Sequence, residues 1–192
     1  MLTRRTFRPG LSIFMCLALA IAGCAGRPLG TLAPIAGTVQ GASLVDMLVA
    51  TTRAPSPIPG VVYSGDRGDS LSVDNIVVSV PPAGNRAAGE LTYPAVNPAD
   101  PRTEFAVLEL TSVDRAGSQR WFDRVAGSNK GGDVLIFVHG FNTTYEESVF
   151  RFAQIAHDTA ATAAPILFSW PSHGSVFDSR YHISHKALIL HV

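Results

Sequence analysis

Thiols are almost missing from the 192 residues: Cys16 and Cys24 are the only two. Both lie within the first 24 positions, so the rest of the chain has no disulfide framework, thiolate metal site or cysteine nucleophile. Net charge is missing as well. Fifteen Lys and Arg balance fifteen Asp and Glu, and a general nucleic-acid binder shows a basic excess instead. Charged residues make up only 16% and aromatics 8%, against 46% hydrophobic. That balance suits one globular domain and excludes disordered, collagen-like and coiled-coil chains. No internal repeat occurs. The longest apolar stretch, Leu11 to Ala22, rises only about 18 Å as a helix, short of a hydrocarbon core of about 30 Å.

What is present at the start is asymmetric. Arg4, Arg5 and Arg8 precede every acidic residue, the first being Asp46. A charged start, a short apolar run and small residues at its end read as a secretory signal over residues 1–23. The run closes on Ile21-Ala22-Gly23-Cys24, which resembles the lipobox of bacterial lipoprotein precursors. The resemblance implies a diacylglyceryl group on Cys24, hence a membrane partner reached through a lipid anchor. Thr3-Arg4-Arg5-Thr6-Phe7 also looks like a twin-arginine signal, leaving the export route open. Ala25 follows the cysteine in place of an inner-membrane aspartate. The expected location is the outer membrane of a bacterial envelope, facing the periplasm.

Beyond the signal, residues 24–45 are rich in Gly, Ala, Pro and Thr and suit a flexible tether. Strands are expected at Asp46–Arg53, stopped by Pro55, Pro57 and Pro59, at Asn75–Val80 before Pro81-Pro82, and at Phe105–Ser112. Gly65 to Asp69 reads as a turn, and residues 83–103 as a loop with a short edge strand at Glu90–Tyr93. A short helix fits Gln119–Val125. Asp133–Val138 and Pro165–Trp170 are continuous apolar strands, the kind buried on both faces of a parallel sheet. Between them, Tyr145, Val149, Phe152, Ala153 and Ala156 recur at helical spacing. Thr143 or Thr144 can form a capping box with the glutamate three residues on. Strand, helix and strand make one βαβ unit, expected to be right-handed. The fold class is α/β.

The segments VDMLVATTRAPS, GDRGDSLS, IVVSVPP, VLIFVHGFNTTYEESVFRFAQIAHD and PILFSWPS resemble an esterase/lipase-like branch of the α/β-hydrolase superfamily. The likeness runs over residues 45–178 and is strongest at 134–172. It implies that residues 46–178 form the N-terminal, incomplete portion of an α/β-hydrolase sheet. It also implies that the loop after His139-Gly140 is an oxyanion-hole loop. There the Phe141 N–H is one donor, Gly140 permits close approach, and Asn142 braces the turn. The family activity would be serine-dependent ester or acyl hydrolysis, for which no cofactor or metal is expected. A nucleophile elbow, G-x-S-x-G, is missing: no serine of the chain has glycine both two before and two after. The acid and histidine that follow the elbow in that family are missing with it. No catalytic residue is therefore assigned.

Residues 179–192 (SRYHISHKALILHV) depart from the family pattern and read as an aberrant tail, the mark of a truncated hydrolase. Ending after PILFSW is expected to leave that strand as an unpaired edge, prone to aggregation. Gly68-Asp69-Ser70-Leu71 spells the GDSL signature of another esterase family. That motif, however, needs its serine just after an apolar strand, and Ser64-Gly65-Asp66-Arg67 stands there instead. His182 and His185 lack the carboxylate or thiolate partners of a zinc pattern. The alternative reading is a non-enzymatic, lipid-anchored envelope protein that binds an unknown protein partner.

Overall fold

The computed structural model describes residues 29–128 and 132–174, and the backbone of 186–190. The signal, Cys24, and the histidines at 182, 185 and 191 lie outside the described residues. A mixed sheet forms the centre, with strands β1 (Ser43–Pro55), β2 (Tyr63–Val80), β3 (Ala106–Ser112), β4 (Val134–Val138), β5 (Ala164–Ser169) and β6 (Lys186–Leu190). Their order across the sheet is β3-β2-β1-β5-β4-β6. β1, β5 and β4 run parallel to one another, whereas β2, β3 and β6 join antiparallel. Helix α1 (Arg115–Gly127) packs on one face and α2 (Tyr145–Asp158) on the other.

The strand period of two explains this layering. Along β1, Val45, Met47 and Val49 enter the cluster under α2, and Leu48 enters the one under α1. β4 divides the same way, with Leu135 and Phe137 toward α2 and Val134 toward α1. Trp121 anchors α1 by burying its ring and donating its indole N–H to Asp46 at 2.6 Å. Helix α2 begins at Thr144, which accepts from Glu147 N–H while the Glu147 carboxylate accepts from Thr144 N–H. Of the two candidate threonines, the chain uses the second.

Several expectations need correction. Gly65–Asp69 is not a turn but part of β2, which runs unbroken from Tyr63 to Val80. Its pairing with β1 slips there, since Thr51 faces Ser72 while Arg53 faces Arg67. The glycines serve close approach: a Cβ on Gly68 would sit 2.8 Å from Arg53 O. Glu90–Tyr93 forms no strand. Residues 81–105 instead drape over the outer side of α2, where Arg86 bridges to Asp158 at 2.6 Å and Tyr93 meets Phe150 edge-on. The Arg86 guanidinium holds the Asp158 carboxyl well below the usual carboxylate range.

β5 is not an edge either. It lies between β1 and β4, and the outer side of β4 pairs with β6 from the segment read as a tail. The stretch read as a tether is docked from Leu29 onward: Leu32 is buried in the core and Ile35 N–H donates to Val107 O.

Candidate functional site

At the carboxyl ends of β1, β5 and β4 the face under α2 changes from apolar to polar. Continuing the alternation past Val49, Leu167 and Phe137 brings up Arg53, Ser169 and His139, all three fully buried. Open α/β sheets place their ligands at this end of the strands.

Arg53 is the hub. Its Nε donates to Ser169 Oγ at 2.9 Å. One terminal nitrogen donates to Ser64 O and Ser172 O at 3.2 and 2.7 Å. The other donates to Thr143 O at 2.8 Å and faces His139 Nε2 at 3.3 Å. A guanidinium has five N–H donors, and these contacts use all of them. Arg53 is thus a clamp joining β1, β2, β5 and the loop before α2, with no donor left for a ligand. Burial pulls its pKa down to about 10, with Glu146 and other α2 groups opposing the shift, so it stays charged at neutral pH.

The loop His139–Thr144 is held through its carbonyls. Trp170 Nε1 donates to His139 O at 2.8 Å, with the two rings stacked 5.3 Å apart. His139 Nδ1 meets Gly140 O at 2.8 Å. Ser172 Oγ donates to Phe141 O and accepts from Thr143 N–H at 3.3 Å. In a trans peptide the N–H points opposite to the C=O. Fixing the Gly140 and Phe141 carbonyls therefore aims the Phe141 and Asn142 N–H groups the other way, as a preformed pair of directions.

Two serine–imidazole groupings lie nearby, and neither has the form of a hydrolytic relay. Ser169 Oγ is 3.1 Å from His139 Nε2, a nucleophile–base distance. Both side chains are sealed from solvent, however, and an Arg53 N–H already faces Nε2, competing for the lone pair that a base would use. His139 Nδ1, the atom that faces a carboxylate in an acid–imidazole–hydroxyl relay, is turned to Gly140 O instead. Exposed His173 meets Asp66 at 3.4 Å, but the adjacent Ser172 commits its proton to the Phe141 carbonyl. Ser70, of the GDSL string, is exposed within β2.

Residues 114–187 match the model of a family described as alpha/beta hydrolase of unknown function (DUF900). The matched stretch is under half of the chain. It runs from α1 through β4, the clamped loop, α2 and β5 into β6, so the similarity covers the βαβ unit and the clamped loop but not β1 to β3, and therefore not Arg53. It also reaches past Asp178, into the segment read as aberrant. No curated protein and no solved structure matches the chain. The α/β-hydrolase-like fold expected from sequence stands on this match and on the sheet.

Two cavities flank the clamped loop. One of about 200 Å³ is lined by His139, Asn142, Thr143 and Arg151 among others. The other, of about 270 Å³, is lined by apolar Leu29, Ile58 and Val61 and by polar Arg53, Asp66, Glu146 and Ser172 among others. Burial raises the Glu146 pKa. Among the described residues no cluster of His, Cys, Asp and Glu could hold a metal ion, and no helix is long and apolar enough to cross a membrane.

Sequence reasoning placed Gly140 and Phe141 on the loop and missed Arg53, Ser169 and Ser172. Gly65 shows how tightly the loop's support is packed, because a Cβ there would lie 2.7 Å from the His173 main chain. Gly65→Ala is expected to cost about 1–3 kcal/mol through overpacking, read as a lower midpoint in thermal unfolding. An unchanged midpoint would contradict the packing argument.

Proposed function

We propose that residues 46–178 carry the oxyanion-stabilising part of a serine-dependent ester or acyl hydrolase fold, presented on a lipoprotein of the bacterial outer membrane. The observation that supports this reading is the loop after β4. Its carbonyls are held by Trp170, His139, Ser172 and Arg53, which orients the Phe141 N–H before any substrate arrives. Preset donors of this kind stabilise a developing oxyanion without reorganising during the reaction. Gly140 and Phe141 are the donor-loop residues in this reading, and Cys24 is the lipidated residue.

Residues 1–192 contain no elbow serine; beside the loop, Ser148 and Ser169 are fully buried and Ser172 commits its proton to the Phe141 carbonyl. The 192-residue chain is accordingly expected to leave p-nitrophenyl esters at their uncatalysed rate and to take up no fluorophosphonate on serine, as read by mass spectrometry. Turnover abolished by a phosphonate would overturn the inactivity.

A further inference from the structure

We propose that the face where the chain enters the fold, formed by Leu29, Ile58 and Val96 beside the 270 Å³ cavity, rests on the lipid bilayer. The proposal relies on the lipid attachment at Cys24 put forward above and adds an orientation to it. Three observations carry it.

The first is tether length. Residues 24–45, about twenty positions, would let the body drift many tens of ångströms as a free linker. The chain is already docked at Gly30, whose N–H donates to Glu146 at 3.4 Å and whose carbonyl accepts from Asn97. Only the five steps from Cys24 to Leu29 remain, a reach of at most about 18 Å. A lipid on Cys24 therefore holds the entry point close to the bilayer surface.

The second is where exposed apolar side chains gather. Leu29 is 59% exposed, Ile58 58% and Val96 68%. Leu29 and Ile58 line the same cavity, Gly60 packs against Gly30, and Asn97, next to Val96, binds Gly30. Three of the five large exposed apolar residues among the described residues thus surround the docking point of the tether. Such side chains beside a lipid anchor add to membrane affinity.

The third is the cavity itself. Leu29 and Ile58, both exposed at this face, line it together with Val61, and Glu146 and Arg53 line it as well. A cavity so placed is offered to the apolar tails of membrane lipids.

The test uses the lipidated chain in phosphatidylcholine vesicles bearing nitroxide-labelled acyl chains. Ile58→Cys, Val96→Cys and Leu44→Cys each receive a fluorophore. Leu44 is equally exposed, at 55%, but lies roughly 30 Å from the entry face, near the other end of β1. Quenching at positions 58 and 96 is expected to exceed that at 44 at least threefold. Equal quenching at all three, in protein that floats with the vesicles, would overturn the orientation alone. Protein that fails to float would overturn the lipid attachment and the orientation with it.

Discussion

Replacing Arg53 with methionine is expected to lower the unfolding free energy by about 3–5 kcal/mol, the cost of breaking a buried charged network from one side. Methionine fills much of the volume, so the loss comes from stranded acceptors rather than from a cavity. Ser169 Oγ and the carbonyls of Ser64, Thr143 and Ser172 would all lose their donor. Each buried acceptor left unmade costs about 1–3 kcal/mol. Arg53→Lys is expected to recover less than half, because an ammonium has three donors and no planar fork. Urea unfolding followed by tryptophan fluorescence measures both, and Trp170, stacked on His139, also reports the loop. A methionine variant within 1 kcal/mol of the wild type would show that Arg53 is not the clamp.

The reach of the sequence can be judged at the same residues. Strands and the long helix were visible because their periods are local: alternation in β1, a 3.6-residue repeat in α2, proline at Pro55 and Pro81. Arg53 was visible in principle too. It stands four residues past Val49 on the same alternating row, and a charge at the end of a buried row signals a polar layer. Ser169 continues the row of Leu167 in the same way.

What stayed hidden depends on distant partners. Gly65 and Gly68 look like turn residues, and nothing local shows that they sit against His173 and Arg53. The composition of residues 24–45 suits a tether, yet Leu32 finds a place in the core. β6 lies in a segment read as aberrant, and only the free edge of β4 gives it a role. The loop after His139-Gly140 was recognised by resemblance; its fixation by its own His139 ring and by three side chains from two other strand ends was not.

The drape of residues 81–105 over α2 leads to an expectation that sequence would not suggest. Phe150 and Phe152 are two positions apart on a helix, about 200° around its axis, so they face nearly opposite sides. Phe152 stacks on Phe137 of β4 at 5.4 Å, toward the sheet. An outward Phe150 would be exposed on an ordinary two-layer surface, yet it is fully buried beneath Tyr93. Phe150→Ala should therefore cost as much as Phe152→Ala, about 3–5 kcal/mol each, with both variants unfolding in one urea transition. A Phe150→Ala loss below 1 kcal/mol beside a full loss for Phe152→Ala would mean that the drape is a surface covering. Equal losses would make it part of the core, held by the Arg86–Asp158 bridge at one end and the Tyr93 ring at the other. The helix that positions the clamped loop would then be enclosed on both sides within the described residues.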